Sequence, residues 1–266
     1  MASNEPAGRT DARAATASER RRLRVLTLNI QVGLQTAHYG HYVTGAWRHV
    51  LPSRNVRGNL DRIAELASQF DLIALQEADA GSLRTAQLNQ VEYLARQAGL
   101  PHWRAAVNRN LGPFAQHCLG FLSRLPLLDS EHHALPGRVP GRGALAATLV
   151  EPGHRPVRAI VTHLALSRAS RQRQLDYLAT LAPKHSELLL LGDLNCETSE
   201  LLTHPPFGAI GLQPVNGAPT FPSWKPQRRL DHVLATPGLA IAHSHVVPTP
   251  LSDHLAVAAE LLLPPA

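Results

Sequence analysis

The chain has 266 residues, 44% of them hydrophobic, with a formal charge of +6 and only two cysteines, Cys118 and Cys196. That length and apolar content suffice for one large core, while two thiols exclude a disulfide scaffold and fit a reducing compartment. No run approaches the ~18 uninterrupted apolar residues of a membrane helix. The charge is a weak pointer to nucleic acid: residues 1–24 hold six arginines against Glu5, Asp11 and Glu19, so +3 of the +6 sits in the lead-in.

Residues 1–21 are polar and aperiodic, without the apolar core of a signal peptide. A disordered tail is expected there, followed by one domain over 22–266 in a cytoplasmic monomer. Arg24–Ile30 alternates and is rich in β-formers, which predicts a strand. Residues 31–57 have no period but carry Tyr39, Tyr42, Trp47, Arg48, Arg54, Arg57 and several histidines, and read as one long loop. The spacing of Leu60, Ile63, Ala64 and Ala67 predicts a helix over Asn59–Gln69. A short strand follows at Asp71–Gln76, then a helix over Ala86–Gln97 with Gly99 as its stop. Strands are expected at Leu119–Ser123, Ala144–Val150, Val157–His163, Glu187–Leu191, Arg229–Ala235, Ala242–Val247 and Leu255–Leu262. A further helix is expected over Arg168–Leu181. Strands interspersed with helices indicate a layered α/β or α+β domain, and periodicity does not choose between the two.

Polar residues collect where these strands end: Asn29, Glu77, His163, Asp193 with Asn195, Asp231, and Asp253 with His254. Strand ends are where layered folds mount site residues on a rigid frame. Taken singly, each has an ordinary explanation. Asn29 caps a turn, Gly192-Asp193-Leu194-Asn195 is a turn with Asx hydrogen bonds, and His163 is a core histidine. Taken in order, the set Leu-Asn, Gln-Glu, Thr-His-Leu, Gly-Asp-Leu-Asn, Leu-Asp-His and Ser-Asp-His resembles the endonuclease/exonuclease/phosphatase superfamily, the deoxyribonuclease I-like enzymes. The resemblance runs from Arg24 to about Glu260. Gly120–Pro126 and Arg142-Gly143-Ala144-Leu145 look like segments of its small bacterial members.

The resemblance implies a four-layer sandwich, two packed mixed β-sheets flanked by helices, with the site at one end. It also implies a metal-dependent phosphoesterase. Phosphodiester hydrolysis needs positive charge on the phosphoryl oxygens, an aimed water and help for the leaving group. Asn29, Glu77 and Asp253 are the candidate ligands of Mg²⁺ or Mn²⁺, because hard oxygen donors suit those ions and no Cys/His cluster suggests zinc. His163, Asp193, Asn195, Asp231 and His254 are the candidate catalytic residues. Asp231 is the candidate partner of His254, and the general base is either Asp193 or His254. Substrate contacts are expected from Arg142, Tyr42, Trp47 and Trp224, with the 31–57 loop as a wall. A small-molecule or phospholipid-headgroup phosphoester is the leading substrate. A DNA or RNA nuclease, with Arg168, Arg171 and Arg173 and the segment Trp224-Lys225-Pro226-Gln227-Arg228-Arg229 as candidate contacts, is the second reading, and a catalytically inactive binding protein the third.

Overall fold

The computed structural model describes residues 21–34, 54–215 and 217–266. The first half contributes β1 (Arg22–Asn29), α1 (Arg54–Ala67), β2 (Leu72–Asp79), α2 (Gln90–Gln97), β3 (His102–Asn110), β4 (Gln116–Ser123) and β5 (Leu127–Ala134). The second contributes β6 (Gly143–Leu149), β7 (Val157–His163), α3 (Arg168–Thr180), β8 (Glu187–Asp193), α4 (Thr198–Thr203), α5 (Pro205–Gly208), β9 (Gln213–Pro214), β10 (Asp231–Ala235), β11 (Ala240–Val246) and β12 (Val257–Leu262).

The strands form two six-stranded mixed sheets, ordered β11-β12-β1-β2-β4-β3 and β5-β6-β7-β8-β10-β9. In each sheet only the central pair is parallel, β1 with β2 and β7 with β8. A parallel pair needs a crossover, and α1 and α3 lie in those two crossovers. The sheets therefore repeat one topology, although no sequence repeat is visible.

Period-two alternation explains the layering. In β2, Leu72 and Ala74 face the space between the sheets, while Ile73 and Leu75 pack outward under Leu60 and Ile63 of α1 and Leu94 of α2. In β8, Leu189 and Leu191 face inward, and Leu188 and Leu190 pack with Leu175 and Leu178 of α3. Both faces of a central strand are buried, so Leu188–Leu191 reads as an unbroken apolar run rather than an alternating one. The result is the expected sandwich of helix, sheet, sheet and helix.

Three differences from the sequence expectations have physical causes. β3 and β5 are edge strands of their sheets, and most of their residues are exposed or half-buried, so neither carries an apolar alternation to read. The second helix begins at Gln90 because the Asn89 side chain caps it, accepting from the amides of Val91 and Glu92 at 3.1 and 3.2 Å. Ala86 and Gln87 before it have positive φ and are not helical. Arg54 and Arg57 belong to α1 rather than to a loop, and the Arg57 guanidinium lies 5.5 Å from the centre of the Tyr93 ring. The expected substrate residues Tyr42 and Trp47 lie outside the described residues.

One glycine fixes how the last turn of β8 is built. Gly192 pairs with Thr162 across the parallel β7–β8 ladder at φ +146, and a Cβ there would stand 2.0 Å from the Thr162 carbonyl oxygen. Neither the backbone angle nor the space admits a side chain. Gly192→Ala is expected to cost about 3 kcal/mol or more in urea unfolding. A loss below about 1 kcal/mol would mean that the ladder relaxes easily there.

Candidate active site

Ladder register brings the strand-end residues together. Asp193 pairs with His163 on one side and with Asp231 on the other, so three adjacent strands of the second sheet deliver these side chains at one level. The first sheet delivers Asn29 from the end of β1. Asn29 Nδ2 donates to Asp193 Oδ2 at 3.2 Å, which joins the two sheets across the sandwich end. Glu77 comes from β2, where the pairing with β4 shifts between Leu75 and Ala78. That bulge and a φ of 53° at Glu77 break the strand's alternation and re-aim its side chain.

The segment before β12 closes the cluster. Ser252 Oγ donates to the Asn29 carbonyl at 2.5 Å and accepts the His254 amide at 3.0 Å. Ser223 Oγ donates to the Ser252 carbonyl at 2.7 Å. His254 Nδ1 lies 2.8 Å from Asp231 Oδ2, its Nε2 lies 3.8 Å from Asp193 Oδ2, and its ring packs on Phe221 with centroids 4.8 Å apart. Asp231 is fully buried, and its amide nitrogen donates to Thr220 Oγ1 at 3.3 Å.

Electrostatics divide these groups into distinct protonation states. Burial opposes a charge on His254, but Asp231 and Asp193 outweigh it and hold its pKa well above the ordinary histidine value. Burial, with Arg142, His254 and His117, pushes His163 well below that value, so His163 is neutral. Its Nε2 lies 3.3 Å from Asp193 Oδ2. Burial raises Asp193 to about 7, with His254 opposing and Asp231 and Glu77 adding to the rise. Burial and the repulsion of Asp253 also raise Glu77, against a hydrogen bond from Asn29.

Asp193 forms an Asx turn: its Oδ1 accepts the Asn195 backbone N–H at 3.0 Å, while Asn195 Nδ2 donates to the Leu164 carbonyl at 2.9 Å. The ordinary reading of Gly192–Asn195 as a turn and its reading as a site segment are thus both compatible with this geometry. Arg142 lies near enough to Glu77 and Asp193 for each to hold its charge, against burial. Trp224 is half-buried in the segment before β10. Of the three helix arginines in the nuclease reading, Arg168 and Arg173 are exposed, whereas Arg171 is buried and held by both carboxylate oxygens of Glu200 at 3.1 and 3.0 Å.

A cavity of 530 Å³ opens beside the cluster, lined by Glu77, His163, Arg142, Arg109, Arg138 and His117 among others. The sequence reading missed Arg109, Arg138 and His117, since none of the three stands in a motif. It also missed Asp79, which is fully buried and accepts from Arg84 Nε at 2.6 Å and from Ser82 Oγ at 2.9 Å. Arg84 Nη1 in turn lies 3.3 Å from His117 Nε2. Burial and the neighbouring Arg84 lower His117 to a pKa of about 4. Cys118 and Cys196 are buried and unbridged. Among the described residues no helix is long and apolar enough to cross a membrane.

Residues 26–254 match the endonuclease/exonuclease/phosphatase family. The structure is similar to an endonuclease/exonuclease/phosphatase protein from Beutenbergia cavernae, with 24% identity and a TM-score of 0.74 over 92% of this chain and 72% of that one. It is also similar to the mannosyl-6-phosphatase Bt3783 of Bacteroides thetaiotaomicron, with 16% identity and a TM-score of 0.65 over 90% and 99% of the two chains. TDP2 from Caenorhabditis elegans aligns with 14% identity and a TM-score of 0.63 over 91% and 74%. No curated protein matches the sequence.

Proposed function

The chain belongs to the endonuclease/exonuclease/phosphatase family, and from that premise we propose that it is a divalent-metal-dependent hydrolase of a small phosphoester. The observation that carries this reading is the Asp231–His254–Asp193 arrangement, with a 2.8 Å contact between the first two, beside the Glu77 carboxylate.

The donor chemistry at Glu77 fits a hard cation. Glu77 and Asp253 repel one another, a repulsion that a divalent ion between them relieves, and Asn29 adds a neutral amide oxygen. That amide oxygen accepts the Gln31 amide at 3.1 Å, which fixes its direction and leaves a second lone pair. A second grouping, Asp193, Asp231 and His254, places ligand atoms within 4.8 Å of one another. It fits an ion less well, because the His254 nitrogen that faces Asp231 carries the proton they share. Glu77, Asn29 and Asp253 are therefore the proposed ligands of Mg²⁺ or Mn²⁺, and the bound ion supplies Lewis-acid charge on the phosphoryl oxygens.

The chain's own groups do the rest. Asp193, poised near neutrality and oriented by Asn29, Asn195 and His163, takes the proton of the attacking water. His254, held as imidazolium by Asp231, presents Nε2–H to the developing negative charge, as does a hydrogen on neutral His163. A cation is a poor base, so the elevated His254 pKa favours Asp193 for that role. Asn195 holds the turn that positions Asp193. The neighbours' names add one analogy: the Bacteroides protein is a mannosyl-6-phosphatase, which suits a small-molecule substrate here.

A Mg²⁺-supplemented screen tests the reading. Bis-p-nitrophenyl phosphate and at least one small phosphoester are expected to turn over, with plasmid DNA and RNA slower. Cleavage of nucleic acid alone would make the protein a nuclease, and no turnover on any phosphoester would contradict the hydrolase reading itself.

A further inference from the structure

The cavity beside the cluster carries charge that the proposed hydrolysis leaves unused. Arg109 reaches it from the end of β3, and Arg138 and Arg142 from the segment between β5 and β6. Glu77 is the only acid in its lining among the described residues. Arg109 and Arg138 are exposed and Arg142 is half-buried at the cavity, whereas the buried arginines are neutralised locally, Arg84 by Asp79 at 2.6 Å and Arg171 by Glu200 at 3.0 Å. Arg109, Arg138 and Arg142 form no ion pair among the described residues. Arg109 also repels Arg142 and His117.

The arrangement is built rather than incidental to a loop. Gly141, at φ +102, lies against the stem of Arg109, where a Cβ would stand 2.9 Å from the arginine's own Cβ. A side chain at 141 would push Arg109 away. One residue back, Asn108 Oδ1 lies 3.0 Å from His132 Nε2, tying the edge strand of one sheet to that of the other. Between the cations the wall is apolar, from Leu119, Val139 and Leu166, and the last two are 68% and 75% exposed.

We propose that Arg109 and Arg138, with Arg142 at the boundary to Glu77, form a subsite for a second anionic group of the substrate. The preferred substrate is then a small organic molecule that carries a phosphate besides the scissile phosphoester. Guanidinium forks match phosphate oxygens in pairs. A volume of 530 Å³ is that of a small-molecule site, and the exposed apolar wall suits a carbon skeleton spanning two charged ends. A nucleic-acid backbone would instead call for a cationic stripe continuing past the cavity. The subsite rests on the hydrolase reading for its meaning, but binding tests it apart from turnover.

The experiment is calorimetric titration in Mg²⁺ buffer with 1,3-propanediyl bisphosphate and with propyl phosphate. The wild type is expected to bind the bisphosphate at least about tenfold more tightly. Arg109→Ala/Arg138→Ala is expected to erase that preference, and Arg109→Lys to keep part of it. Equal binding of the two probes by the wild type, or a preference unchanged in the double variant, overturns the subsite. So does an oligo(dT) strand that binds through Arg109 and Arg138 while the bisphosphate does not. If the preference holds but no phosphoester is hydrolysed, the subsite stands and the hydrolase reading alone fails.

Discussion

His254→Ala is expected to lower kcat/KM for bis-p-nitrophenyl phosphate on the order of 10³-fold, and Asp231→Asn on the order of 10²-fold. The argument is geometric first. Asp231 is buried, 2.8 Å from His254 Nδ1, and paired in register with Asp193. An asparagine there keeps the volume but removes the charge that holds His254 protonated against its own burial. The loss should fall mainly in kcat rather than KM. His254→Ala/Asp231→Asn should be little worse than His254→Ala alone, because residues that act as a unit are not additive. Multiplicative losses would mean that the two side chains contribute separately, and the dyad would be wrong.

The second large effect is at Glu77. Glu77→Gln is expected to lower turnover by on the order of 10³-fold at saturating substrate while leaving the circular dichroism spectrum unchanged. A readout free of activity accompanies it. A ligand that binds only the folded state stabilises by about 2.7 kcal/mol at a hundredfold excess over Kd, so Mg²⁺ should raise the Tm of the wild type. It should raise that of Glu77→Gln much less. The variant itself should be no less stable without metal, since the glutamate it removes is raised by burial and by the repulsion of Asp253. An equal Mg²⁺ shift in both proteins would move the ion away from Glu77, towards the grouping of Asp193, Asp231 and His254.

Much of this arrangement was legible in the sequence, for definite reasons. Central strands buried on both faces leave apolar runs such as Leu188–Leu191, and a polar residue that ends such a run stands out. Asp193, His163 and Asn29 stood out that way, and they lie together, Asn29 hydrogen-bonded to Asp193 and His163 Nε2 3.3 Å from it. What was hidden lacks a local signal. Edge strands β3 and β5 have too few buried positions to alternate. Arg109 and Arg138 become neighbours in a cavity only because two edge strands from different sheets meet. The pairing of Asp231 with His254, 2.8 Å apart across 23 residues, was expected from the family resemblance and not from spacing, which does not encode it. The protonation states are tertiary too: His163 and His254 have the same unperturbed pKa and are driven in opposite directions by burial and by two carboxylates.

The most direct measurement is a titration of Mn²⁺ into metal-stripped protein, following bound Mn²⁺ by electron paramagnetic resonance and hydrolysis of bis-p-nitrophenyl phosphate in the same samples. Turnover should be absent before Mn²⁺ is added, rise in proportion to the bound-ion signal, and disappear again with EDTA; full turnover in the stripped protein with EDTA present would contradict the account.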